Sequence, residues 1–154
     1  MSRSACRTTA TRLVAAAGVA LAPALAAQRQ LIRPIAVGAT VRGELRTSDV
    51  LLSRDSTYAQ EWQIDAGEGQ VVTVDLASDA FDAYLIVYGP AIARQLQDDD
   101  SGGHCNARLT VRFPQSGAYH IAVTSNEKFE TGQFSLSVTR GAKPKSLSRC
   151  TRAR

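Results

Sequence analysis

The sequence lacks most of the short patterns that carry catalysis. None of its serines stands in Gly-x-Ser-x-Gly, so a nucleophile elbow is excluded. No glycine-rich loop leads from a strand into a helix, which removes the usual cradle for nucleotide phosphates. No Cys-x-x-Cys or His-x-x-x-His spacing occurs, which argues against zinc. The 2 histidines are His104 and His120, and adjacent residues such as His104 and Cys105 point apart on a strand, which argues against a Cys–His nucleophile pair. Beyond the N-terminal segment no stretch is apolar enough to span a membrane, no helical period stands out, and no internal repeat occurs.

The N-terminal segment also lacks acids. It carries Arg3, Arg7 and Arg12, then an apolar run from Leu13 to Leu25, then Ala24-Leu25-Ala26 ahead of Ala27. A basic start, a short apolar centre and a small-x-small end are the parts of a cleavable signal peptide, expected over residues 1–27. The run is short for a membrane anchor, which needs about 20 residues, and no Cys follows it to take a lipid. The expected location is therefore secreted or periplasmic. Residues 28–139 hold 9 Lys/Arg against 14 Asp/Glu, so the body is acidic, while Arg140, Lys143, Lys145, Arg149, Arg152 and Arg154 make the end basic. This basic tail, residues 141–154, has no interleaved aromatics, so it reads as a solvated end and not as a nucleic-acid surface. Cys6 leaves with the signal, and Cys105 and Cys150 remain, an even pair in an oxidising compartment. One disulfide is the simplest inference. Two free thiols, or a metal site using both, stay open.

Alternation with a period of two recurs along the rest of the chain. Trp62 and Ile64, then Val72, Val74 and Leu76, then Leu109, Val111 and Phe113, then Tyr119, Ile121 and Val123, then Phe134, Leu136 and Val138 each point one way while polar neighbours point the other. Residues 84–88 are apolar on both sides and predict a central strand buried on both faces. Turn formers at Gly67 and Gly69, Gly89-Pro90, Pro114 to Gly117 and Gly132 separate the runs. About eight strands follow, near 40–46, 59–65, 70–77, 83–88, 93–97, 106–113, 118–125 and 133–140. Two antiparallel sheets packed face to face, an all-β sandwich, would bury their stripes in one core.

The ordered set Gly43-Glu44-Leu45, Glu61-Trp62-Gln63-Ile64, Ala66-Gly67-Glu68-Gly69-Gln70-Val71-Val72, Phe81-Asp82-Ala83-Tyr84-Leu85, Asp98-Asp99-Asp100, Ser116-Gly117-Ala118-Tyr119 and Gly132-Gln133-Phe134-Ser135-Leu136 resembles the bacterial pre-peptidase C-terminal domain over residues 37–140. That resemblance implies a jelly-roll-like sandwich with a non-catalytic accessory role beside a secreted peptidase. Related modules in secreted collagenases bind collagen and calcium. The chain departs from the family's context, since no peptidase domain is present. Asp98-Asp99-Asp100-Ser101-Gly102-Gly103-His104-Cys105 also stands where two acids and a glycine are usual.

The acidic cluster is the best candidate for chemistry. Three neighbouring carboxylates repel unless solvent or a cation screens them, and Ca²⁺ takes six to eight oxygens, often from flexible loops. Asp98, Asp99 and Asp100, joined by Asp79 and Asp82 around Phe81 and by the amide of Asn106, form the expected calcium set. Residues adjacent on a strand point apart, so at most two of the three consecutive acids would share one ion easily. The plain alternatives are a solvated acidic turn, and for Asp82 a turn-ordering role. Trp62 fits the inward register, which leaves Tyr58, Tyr84 and Tyr88 as a contact surface. The first functional reading is a secreted, non-enzymatic binding module for a secreted enzyme, envelope protein or matrix polymer. Others are a small secreted hydrolase using the acidic loop, and a structural envelope protein with no ligand. A hydrolase would require one acid in a dry pocket.

Overall fold

The computed structural model describes residues 31–151; the expected signal peptide lies outside them. Ten strands run in chain order: β1 (Ile32–Pro34), β2 (Thr40–Leu45), β3 (Val50–Leu52), β4 (Thr57–Ala66), β5 (Val71–Ala77), β6 (Ala83–Tyr88), β7 (Leu96–Asp98), β8 (Ala107–Arg112), β9 (Gly117–Ser125) and β10 (Gly132–Arg140). They form two sheets. One has the order β1-β4-β9-β6-β7 with β3 also on β4, and the other runs β2-β10-β5-β8. This is the all-β sandwich that the alternating stripes predict.

The core lies between the sheets. Val72, Val74 and Leu76 from β5, Leu136 and Val138 from β10, and Leu85 and Val87 from β6 meet Ile121 and Val123 from β9, all fully buried. Each belongs to an alternating run, so its polar neighbours are turned away from this layer. Gly43 is required by close packing: a Cβ there would stand 2.3 Å from Cζ of Phe134.

Four details differ from the sequence reading. Strands β1 and β3 are additional, and each has three residues, too few to show an alternation. Strand β1 pairs with β4 in parallel, so the larger sheet is mixed. Strand β6 is buried on one face only, since Tyr84, Ile86 and Tyr88 are half-buried on the other. It lies next to the short edge strand β7, and among the described residues no second layer covers its outer side. The Pro114 to Gly117 turn, whose Ser116-Gly117 reads in the sequence as a hairpin turn, joins β8 in one sheet to β9 in the other, so it is an arch between sheets. Phe113 N–H donates to Gln70 O at 2.9 Å and carries the β5–β8 pairing to the sheet's end. The Tyr119 hydroxyl then donates to Gln115 O at 2.7 Å and pins the arch.

Candidate functional site

The acidic loop joins β7 to β8 and is closed from within. Asp98 Oδ2 accepts the backbone N–H of Ser101 at 2.9 Å and of Arg108 at 2.8 Å. Gly103 N–H donates to Asp100 O at 2.8 Å, and Asn106 N–H to Gly103 O at 3.0 Å. Gly102 lies so close to the returning chain that a Cβ would meet Asn106 O at 2.6 Å. Gly103, His104 and Cys105 all have positive φ, 83°, 55° and 62°, a left-handed run that turns the chain sharply into β8. Cys105, thus placed, forms the disulfide with Cys150, with Cα atoms 4.4 Å apart. Of the alternatives the sequence leaves open, this geometry supports the disulfide. The basic tail is drawn back over the acidic body, with Lys143 Nζ 2.7 Å from Asp75 Oδ2 and Ser146 N–H donating to Ser101 O at 2.8 Å.

The expected calcium residues take different places. Asp82, at the start of β6, and Asp100 bring their carboxylates together: one oxygen of each, with the two disulfide sulfurs, lies within 4.8 Å of the others. Oδ1 of Asp82 is buried without a hydrogen-bond partner. Burial, and then the charge of Asp100, push the Asp82 carboxyl above its ordinary value, while a hydrogen bond with Asn126 opposes them. The Asp100 carboxyl is raised as well, by burial and then by Asp99 and Asp98. Two carboxylates whose charged forms are both disfavoured and whose oxygens converge suit a hard cation. The sulfurs do not, because a disulfide offers no thiolate. Asp99 stands near enough to raise both neighbours but is not among the convergent groups. Asp98 is a fastener of the loop. Asn106 Oδ1 accepts the N–H of Ser78 at 2.9 Å and so ties this loop to the turn before β6. Asp79 lines a different, open groove with Arg42, Glu44 and Arg46.

The three tyrosines also separate. Tyr84 and Tyr88 occupy outward positions of β6 and line a hollow of about 730 Å³ on the six-stranded sheet. Its floor holds Ala59, Ile86 and Ala122, with Ala122 paired to Ile86 across the β6–β9 ladder. Gln97 stands beside Tyr84, and Gln95 and the turn after β3, with Arg54 and Asp55, line the hollow too. Tyr58 lies between Thr57 and Ala59, which line the hollow, so alternation turns its ring away. It meets Phe129 instead, with centroids 6.4 Å apart.

A polar cluster beside the hollow was not foreseen. Glu61 on β4 is buried, accepts the Tyr88 hydroxyl, and has Oε1 2.7 Å from His120 Nδ1. His120 stacks on Tyr88 with centroids 5.1 Å apart and planes 13° from parallel. Burial and then the bond to Glu61 raise the Tyr88 phenol well above its ordinary value, so it stays a donor. The register places His120 opposite Tyr88 on one side and Gln63 on the other. That register is set by which strands pair, and no local motif encodes it.

No protein-family model matches the chain, and no curated protein matches it either. Solved structures do. The pre-peptidase C-terminal domain of a Bacillus anthracis collagenase superposes with a TM-score of 0.52 at 12% identity, over 71% of this chain and 95% of that one. PliG of Salmonella Typhimurium, a periplasmic inhibitor of g-type lysozyme, gives 0.47 at 19% identity over 69% and 96%. PliG of Aeromonas hydrophila gives 0.43 at 15% over 70% and 96%. At these identities the likeness is one of architecture, and the first comparison fixes it: the chain has the fold of the pre-peptidase C-terminal domain.

Proposed function

We propose that the chain is an exported, non-catalytic binding module stabilised by calcium. The observation that supports this is the meeting of the Asp82 and Asp100 carboxylates beside the disulfide, with a buried Asp82 oxygen that has no hydrogen-bond partner among the described residues. A calcium ion held there would take one oxygen from each, with backbone carbonyls and water completing its shell. It would offset the burial and the repulsion that raise both carboxyls and would tie the start of β6 to the loop before β8. The disulfide suits an oxidising compartment, secreted or periplasmic. Cys105 is consumed in that bond, which removes the thiol a cysteine hydrolase would need. Neither groove described above includes Asp82 or Asp100. A protein or an extracellular polymer is the expected partner, and nucleic acid is not.

Thermal melts of the oxidised mature chain in chelator and in millimolar calcium test the ion. A ligand that binds only the folded state adds about 1.4 kcal/mol at ten times its Kd, a rise of several degrees for a domain of this size. The expected result is a rise with calcium and none with magnesium, lost in Asp82→Asn. An unchanged midpoint in calcium would overturn the calcium reading.

A further inference from the structure

We infer that the hollow on the six-stranded sheet binds a short stretch of an uncharged polysaccharide. The inference rests on the reading of the chain as an exported binding module but not on its calcium site. The floor is shallow because its outward positions are small: Ala59 on β4 and Ala122 on β9 leave room between the flanking side chains. A volume of about 730 Å³ is within the usual range for ligand pockets. Two tyrosines four positions apart on one strand flank Ile86, a span of about 13 Å at the rise of a strand.

Both rings are held before any ligand arrives. The Tyr84 hydroxyl donates to Gln97 Oε1 at 2.8 Å. The Tyr88 hydroxyl is held by Glu61, and one face of its ring is covered by His120. With their hydroxyls engaged, both tyrosines line the hollow. A ring with few rotamers left to lose is a low-cost contact for an apolar face. Pyranose rings carry such faces of C–H groups, ringed by hydroxyls that both donate and accept.

The polar lining matches that rim. Gln95, Gln97 and Asn126 present amides, which also donate and accept. The charges in the lining are Arg54 and Asp55, one of each sign, and the nearby Asp98 and Asp99 disfavour an anion. An extended peptide is a poorer fit. The strands that carry the floor, β4, β9 and β6, are paired on both sides, so strand addition is open only at the outer side of the three-residue edge strand β7.

The test is retention of the mature chain on insoluble cellulose, chitin, xylan and starch, followed by titration with soluble tetrasaccharides of the polymer that retains it. A proline-rich decapeptide serves as the peptide probe. The expected result is retention on at least one polysaccharide, with Tyr84→Ala weakening the tetrasaccharide by about tenfold. Tyr58→Ala, which alters an aromatic outside the hollow, should leave affinity unchanged. Melts of both variants confirm that they fold, and Gln97→Ala gives a second probe should Tyr84→Ala fail to fold. Failure of all four polymers to retain the chain, affinity insensitive to both hollow variants, or binding of the peptide alone would each overturn the inference. The calcium melt is independent, so a chain that responds to calcium yet ignores every polysaccharide would lose this inference and keep the module reading.

Discussion

Three consecutive aspartates carry three different environments. Asp98 is spent on two backbone N–H groups, Asp99 sits beside the others, and Asp100 turns to meet Asp82. The sequence could limit how many of the three share an ion but could not say which, because that depends on the left-handed turn at Gly103, His104 and Cys105. The raised carboxyl of Asp82 has a consequence for stability. The folded state holds a proton on this group more tightly than the unfolded state does. Its contribution is therefore fully present below the ordinary carboxylate value and is lost as pH rises through the raised one. In chelator, Asp82→Asn removes the charge that is costly at neutral pH. The expected outcome is a higher midpoint than wild type at about pH 7, with the difference shrinking toward about pH 4. Paired melts across that range check it. A variant less stable than wild type at neutral pH would show that the charge is compensated within the fold.

Among elements, those with long alternating runs were legible and those defined by their neighbours were not. Strands β5, β9 and β10 carry seven to nine residues each and present their stripes in the register that alternation predicts. Thr124 shows the limit: its place in the run points outward, yet it is buried, because its hydroxyl donates to Tyr58 O at 2.7 Å beneath the β3–β4 turn. Residues 84–88 read as doubly buried, since tyrosine and isoleucine are apolar enough for a core, and only the absence of an outer layer over the described sheet makes their outward side a surface. The loop between β7 and β8 is held by its own hydrogen bonds and by the disulfide, which spans 45 residues. In the chain-entropy account such a link is worth at most about 4 kcal/mol. In Cys105→Ser the loop keeps the Asp98 and Gly103 hydrogen bonds, so the expected loss is about 3 kcal/mol, a fall in midpoint on the order of 10 °C, with the β-rich spectrum intact. Denaturant melts of the variant against oxidised wild type measure it.

At the scale of the molecule, the two-sheet architecture was written in the stripes, while the assignment of strands to sheets was not. Consecutive strands β8 and β9 lie in opposite sheets, and β1 joins β4 in parallel, choices settled by the shared core and by arches such as the one pinned by Tyr119. That core has a further implication for the tail. Among the described residues, every buried apolar residue lies between Ile35 and Val138. Beyond it, the chain holds on through Lys143 to Asp75, Pro144 O to Arg108, Ser146 to Ser101, and the disulfide. Lys145 is 3.9 Å from Asp98 with its own side chain largely exposed, and exposed pairs contribute little. Once the disulfide is gone, residues 145–154 should therefore hold almost nothing together. In a Cys105→Ser background, deleting residues 145–154 is expected to change stability by no more than about 1 kcal/mol, because what leaves is one backbone hydrogen bond to the loop and weak surface contacts. Keeping Gly141 to Pro144 preserves the contacts that this stretch makes with β5 and β8. Equilibrium unfolding of the two chains, compared at the same ionic strength, decides the matter. A loss of several kcal/mol would mean that the basic tail is packed into the fold in its own right, and that the acidic body relies on it for more than a covalent tie.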